Sequence, residues 1–140
     1  MSRTQTPGPA DTATEKRPRI LVVDDSITMR LFYRSVLEAT GFQVDEAANG
    51  MEGYERILTQ DFDLLIVDVN MPKMDGYTLI RAVRGDAAKR KVPAVFVSTE
   101  SDDKDAALAL EAGGNFYLIK PVDPIELADV ARLMTGLVAP

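Results

Sequence analysis

Histidine, cysteine and tryptophan are all missing from this chain of 140 residues. Without cysteine there is neither a disulfide nor a thiolate metal site. Without histidine the usual general base and the commonest metal ligand are gone. Any chemistry must run on carboxylates, hydroxyls and lysine. No apolar run approaches the roughly 20 residues that a membrane-spanning helix needs. Residues 1–18 lack the apolar core of a secretory signal. A cytoplasmic protein without membrane insertion is therefore expected. A basic stripe is lacking too. The formal net charge is −6, the wrong sign for a nucleic-acid footprint, so direct nucleic-acid binding is not expected.

What remains is ordinary for a globular domain, with 46% hydrophobic and 27% charged residues. A chain of this length favours one domain, whose core can bury about two-thirds of the surface exposed by the unfolded chain. Residues 1–18 are rich in Thr, Pro, Ala and charge and have no periodicity. They read as a disordered N-terminal tail. Residues 19–140 read as a single folded unit, with no linker inside it and no output domain after it.

From Arg19 onward, short apolar runs alternate with amphipathic stretches. Ile20–Val23, Leu64–Val67, Ala94–Val97 and Phe116–Ile119 are continuous runs, and Val44 marks a fifth, weaker one. Such runs suit strands buried on both faces, as in a parallel sheet. Met29, Phe32, Tyr33, Val36 and Leu37 share one helical face, closed by Gly41. Further helices are expected over Gly53–Leu58, Tyr77–Val83 and Lys104–Ala112, the last closed by Gly113-Gly114. Asp123-Pro124 opens a final helix whose inner face holds Leu127, Val130, Ala131 and Met134. Five strand-helix units imply an α/β, doubly wound parallel sheet.

The polar residues follow the strands. Asp24 and Asp25, Asp68, Ser98 and Lys120 each stand at the carboxyl end of an apolar run. In open parallel sheets that edge binds ligands. Singly, each residue has a bland explanation. Asp25 or Ser26 can cap the first helix, and Lys120 before Pro121 can be a surface lysine. Together they describe a cleft. Three clustered carboxylates repel one another unless a cation intervenes. With no His or Cys available, a hard, oxygen-preferring ion such as Mg²⁺ (or Mn²⁺) fits best. An Asp carboxylate can itself be a nucleophile and form an acyl phosphate. Phosphoryl transfer asks mainly for positioning and charge neutralisation.

These residues resemble a known family. Ile20-Leu21-Val22-Val23-Asp24-Asp25-Ser26, Val67-Asp68-Val69-Asn70-Met71-Pro72, Met74-Asp75-Gly76, Val97-Ser98 and Ile119-Lys120-Pro121 are similar, in order and spacing, to the motifs of the response-regulator receiver domain, and above all to its CheY-like, single-domain members. The similarity runs from about Arg19 to Thr135. It implies a flavodoxin-like (βα)5 fold with strand order 2-1-3-4-5. It implies Asp68 as phosphoacceptor, and Asp24, Asp25, Asp68 and the backbone carbonyl of Asn70 as the Mg²⁺ site. Lys120 would bind the phosphoryl group, and Ser98 rather than its neighbour Thr99 would be the switch hydroxyl. Tyr117 would be the aromatic switch residue, Asn70 and Glu100 would tune dephosphorylation, and Lys120-Pro121 would be a cis peptide.

The implied function is that of a two-component response regulator. A histidine kinase or histidine phosphotransfer protein supplies the phosphoryl group. An effector protein is met through the face made by the fourth helix, fifth strand and fifth helix. The signalling is chemotaxis-type, or the chain is a phosphorelay intermediate passing phosphate onward. No turnover of an external substrate is expected, only self-catalysed phosphotransfer and autodephosphorylation. That face holds Asp102, Asp103, Lys104 and Asp105 at the start of the fourth helix and Glu126, Asp129 and Arg132 on the last, where well-studied chemotaxis regulators are more basic. An aspartyl-nucleophile phosphatase would instead place a DxD pair on the first strand. A flavin or nucleotide binder would need a phosphate-cradling loop there, where Asp24 and Asp25 stand.

Overall fold

The computed structural model describes residues 17–137. Of the tail expected over residues 1–18, residues 1–16 lie outside the described residues, as do residues 138–140. Five strands alternate with five helices: β1 (Arg19–Val23), α1 (Ile27–Thr40), β2 (Gln43–Ala47), α2 (Gly50–Thr59), β3 (Leu64–Asp68), α3 (Gly76–Arg84), β4 (Ala94–Ser98), α4 (Asp103–Ala112), β5 (Phe116–Ile119) and α5 (Pro124–Thr135). All strand pairs are parallel, in the order β2-β1-β3-β4-β5. This is the order expected for the flavodoxin-like class.

Strand alternation splits each apolar run between two cores. Ile20, Val22, Ile66 and Val97 face Tyr33 and Leu37 of α1 and Leu127 and Val130 of α5. Leu21, Val23, Val67 and Phe96 face Ile57 of α2, Leu79 of α3 and Ala109 of α4. Because both faces are covered, β1, β3 and β4 are apolar apart from their terminal residues Arg19, Asp68 and Ser98, and buried along nearly their whole length.

Local capping places the helix starts at one edge of the sheet. Ser26 Oγ accepts from Met29 N at 3.2 Å, Asn49 Oδ1 from Glu52 N at 2.8 Å, and Asp75 Oδ1 from Thr78 N at 2.8 Å. Each bond satisfies a backbone donor left over at a helix N-terminus. Gly76 is required where α3 begins. A Cβ there would lie 2.5 Å from the carbonyl oxygen of Asp68, so only glycine lets the helix start this close to the end of β3. At the opposite end of the sheet, Arg17 Nε donates to Gly41 O at 3.1 Å and Pro18 O accepts from Gln43 N at 2.9 Å.

Candidate functional site

The register of the parallel sheet decides which strand ends meet. Val23 of β1 pairs with Val67 of β3, and Asp68 pairs with Val97 of β4. Asp24, Asp68 and Ser98 therefore emerge side by side, and Lys120, just past β5, reaches across to them. Lys120 Nζ lies 3.2 Å from Asp68 Oδ1 and 3.9 Å from Asp24 Oδ2. Asp24, Asp25 and Asp68 each offer a carboxylate oxygen, all within 4.8 Å of one another. Asp24 is 0% and Asp68 3% exposed, while Asp25 stands at the open mouth.

Backbone donors aim the two buried carboxylates. Asp24 Oδ1 accepts from Ser26 N at 2.8 Å, and Asp68 Oδ1 accepts from Asn70 N at 3.3 Å. Arg30 donates to the carbonyl of Asp24 at 2.7 Å and fixes the loop after β1. Asp24 Oδ2 is buried with no hydrogen-bond partner. Burial pushes the carboxyls of both Asp24 and Asp68 above the usual range. The Asp68 charge adds to the rise at Asp24, and Lys120 opposes it at both without cancelling it. A buried carboxylate oxygen without a hydrogen bond, within a trio of acids faced by one lysine, is a poor resting arrangement on its own. It is the donor set a hard divalent cation accepts, so these three residues fit a Mg²⁺ ion.

Ser98 is fully buried. Its Oγ accepts from Glu100 N at 3.1 Å and lies 3.5 Å from the Asn70 side-chain amide. Thr99 beside it is exposed. Tyr117, on β5, packs against the core beneath α4, and its hydroxyl donates to Glu100 O at 2.8 Å. Glu100 thus joins Ser98 to Tyr117 through its own N–H and carbonyl, while the residue itself is exposed at the rim. The Lys120-Pro121 peptide is cis. Asn70 is brought to the cluster through its backbone N–H and its amide.

Three residues near the site are not legible as such in the sequence. Arg30 is one. Tyr77 of α3 is another: its hydroxyl donates to the carbonyl of Asp105 on α4 at 3.4 Å and stands beside Tyr117. Its ring meets Phe96 edge-on at 5.0 Å. Burial, then the neighbouring Tyr117, pushes the Tyr77 phenol up to about 12. The third is Tyr33, whose hydroxyl is buried without a partner. Burial pushes its phenol up, and the charges of Asp24 and Asp68 push it further. In the sequence both tyrosines are merely members of an apolar helical face.

Residues 20–132 match the family model described as the response regulator receiver domain. The chain belongs to this family. The receiver domain is 37% identical over 120 residues to chemotaxis protein CheY1 of Helicobacter pylori, covering 84% of this chain and 97% of that protein. Among solved structures, it is similar to a putative response regulator from Chloroflexus aurantiacus, with a TM-score of 0.83 and 34% identity over 86% of this chain and 99% of that one. It is also similar to the receiver domain of a sensor histidine kinase from Pseudomonas aeruginosa, solved with a magnesium ion in its active-site cleft. There the TM-score is 0.79 and the identity 28%, over 86% of this chain and 98% of that one. Among the described residues of the receiver domain, no helix is long and apolar enough to cross a membrane.

Proposed function

We propose that this receiver domain accepts a phosphoryl group on Asp68 and works as a chemotaxis-type response regulator. The observation that carries the reading is the environment of Asp68. One carboxylate oxygen is aimed by the Asn70 N–H and the Lys120 ammonium, inside a buried acidic trio. The Asp68 carboxylate attacks phosphorus. An oxygen–phosphorus bond forms while the donor's phosphorus–nitrogen bond to histidine, or phosphorus–oxygen bond to a small acyl phosphate, breaks. The leaving group departs with the bonding electrons.

Asp24, Asp25, Asp68 and the Asn70 carbonyl would hold the Mg²⁺, which neutralises charge on the transferring phosphoryl oxygens when bound. The magnesium in the Pseudomonas receiver cleft supports this assignment. Lys120 provides a second positive charge beside the same oxygens, and Ser98 a hydroxyl able to donate to them. Drawing Ser98 toward the phosphoryl group breaks its bond from Glu100 N, which frees the loop that carries the acceptor of Tyr117. The α4–β5–α5 face changes in consequence, and an effector protein reads it. Asn70 and Glu100, both at the mouth, orient the water that later removes the phosphoryl group. The similarity to a chemotaxis protein supports the pathway assignment. A histidine kinase or phosphotransfer protein is the donor, and the cytoplasm is where the two meet.

Incubation with acetyl phosphate and Mg²⁺, followed by intact mass measurement, tests the reading. Wild type gains one phosphoryl group, and Asp68→Asn gains none. Equal gain in both, or none in either, would sink the assignment. Replacing Glu100 by Gln and timing phosphate loss tests the tuning role, which an unchanged lifetime would rule out.

A further inference from the structure

The end of α3 and the connection from it to β4 carry the charge that the rest of the chain lacks. Residues 81–91 hold Arg81, Arg84, Lys89, Arg90 and Lys91 against one acid, Asp86, in a chain of net charge −6. Because the strands are parallel, the connection that feeds β4 stands at the edge of the sheet opposite Asp68. A run of charge is by itself only solvated surface. Here the connection is also braced. Asp86 N donates to Val83 O at 3.1 Å, Lys89 N to Asp86 O at 3.1 Å, and Val92 N to Lys89 O at 3.3 Å. Arg84 donates to the carbonyls of Arg90 at 3.0 Å, Val92 at 2.6 Å and Gly113 at 2.8 Å. Lys89 Nζ donates to Gln60 O at 3.1 Å and to Asp61 Oδ1 at 2.9 Å.

Arg84 and Lys89 thus hold the backbone, and the other three cations are left over. Arg81, Arg90 and Lys91 are exposed, and among the described residues they form no ion pair. Lys91 lines a pocket of about 180 Å³ together with buried Ile57 and Leu65 and half-buried Phe62 and Val92. That is below the roughly 300 Å³ of a small-molecule site and gives room for one apolar side chain. Charge and shape select the occupant. A nucleic acid asks for a continuous basic stripe, whereas exposed Asp61 lies on the same pocket. A bilayer asks for apolar side chains to insert, and among the described residues no large apolar side chain between Leu58 and Leu108 is exposed. A two-fold contact with a second copy sets the patch against itself, cation to cation.

We propose that this braced corner docks a short acidic segment of a partner protein that carries one apolar side chain among its carboxylates. The apolar side chain enters the pocket beside Phe62 and Val92, and the carboxylates meet Lys91, Arg90 and Arg81. The rest of the chain is acidic and repels such a segment, so charge both selects it and directs it to this corner. The loop is already held by its own bonds, so little ordering opposes the binding. The corner lies at the far edge of the sheet from the cleft. Its occupancy tethers the receiver domain to a partner and leaves Asp68 open to its phosphodonor.

The test uses a short synthetic peptide with one central Leu among Glu residues. Its controls are a twin with Lys for every Glu and a version with Gly for Leu. Binding to the full chain is read by fluorescence anisotropy at low and at physiological ionic strength. The Glu–Leu peptide is expected to bind about tenfold or more tighter than the Lys twin and about tenfold tighter than the Gly version, and to weaken as salt rises. Arg90→Glu combined with Lys91→Glu weakens it about tenfold or more, while Asp68→Asn leaves it unchanged. A cooperative melt shows that each variant folds, and Lys91→Gln alone carries the test if the charge reversal disturbs the loop. No binding of the Glu–Leu peptide overturns the proposal, as does equal binding of either control. So does affinity untouched by the Arg90 and Lys91 substitutions, or lost in Asp68→Asn. Single-stranded DNA or phosphatidylserine vesicles that bind as tightly through Lys91 overturn it in favour of a general anion surface. Wild-type self-association that Lys91→Gln abolishes overturns it in favour of a second copy.

Discussion

Two tyrosines show how much depends on a single oxygen atom. Tyr33 carries a fully buried ring whose hydroxyl finds no partner, and a buried unsatisfied polar group costs about 1–3 kcal/mol. Tyr33→Phe keeps the ring and removes the orphan. The expected result is a gain of about 1 kcal/mol, seen as a higher urea midpoint with an unchanged slope. A loss of similar size would mean that the hydroxyl is paired, through a buried water or with Asp24. Tyr77 is the opposite case. Its hydroxyl donates to the Asp105 carbonyl of α4, while its ring is held edge-on by Phe96. Tyr77→Phe should cost less than about 1 kcal/mol but loosen the first turn of α4. Hydrogen exchange should then quicken at residues 105–109 and stay unchanged in β4. Identical exchange in the two proteins would show that the Tyr77 hydroxyl does not hold the first turn of α4.

Elements were legible where burial dictates sequence. Strands β1, β3 and β4 stand out as unbroken apolar runs because helices cover both faces of the sheet; β5 is as apolar, but as an edge strand it leaves Phe116 and Ile119 exposed. The acidic, hydroxyl and lysine residues at their ends could be grouped because a parallel sheet delivers all its strand ends to one edge. β2 was the faint one, and the fold gives the reason. It is an edge strand whose Asp45 and Glu46 turn to arginines rather than to a core: Asp45 to Arg19, Glu46 to Arg30 and Arg34 of α1. Helices α2 and α3 start earlier than their apolar periodicity announces, since Asn49 and Asp75 cap them ahead of glycines. That Tyr77 and Tyr117 pack on the same core was beyond reach, because it joins α3 to β5 across a layer that periodicity does not describe. The Glu46 tie carries a pH signature of its own. Hydrogen bonding from Arg34, more than any other cause, holds the Glu46 carboxyl below its ordinary value of 4.5. A lowered folded-state pKa contributes stability that is present above that ordinary value and lost as pH falls through the folded one. Glu46→Gln is expected to cost about 1 kcal/mol at neutral pH. Denaturation midpoints of the two proteins should converge below the usual glutamate range, and a constant gap would argue that the tie is not electrostatic.

Across the whole molecule the two buried carboxylates work in the opposite sense to Glu46. Asp24 and Asp68 have carboxyls raised above 3.8, chiefly by burial. A raised folded-state pKa gives a contribution that is fully present below the ordinary value and lost as pH rises through the folded one. At neutral pH the metal-free site is therefore a net cost to the fold. Acidification from neutrality toward the ordinary carboxylate range relieves it, before the loss of Glu46 and similar pairs takes over. A bound divalent cation removes the cost by a different route, since it favours the ionised form of the same oxygens. Ligation that excludes the unfolded chain stabilises by about 2.7 kcal/mol at a hundredfold excess over Kd, and protons compete with it. Three results should follow in calorimetry. Metal-free Asp68→Asn melts above metal-free wild type at neutral pH. Mg²⁺ raises the melting temperature of wild type more than that of Asp68→Asn. That increment shrinks as pH is lowered toward the carboxylate range, because the ligands are then protonated. A Mg²⁺ increment that is independent of pH, or equal in the two proteins, would place the ion elsewhere on this acidic surface. The strand-end carboxylates would then be a stability cost with no cation to offset it, and the case for Asp68 would rest on its bonds to Lys120 and Asn70 alone.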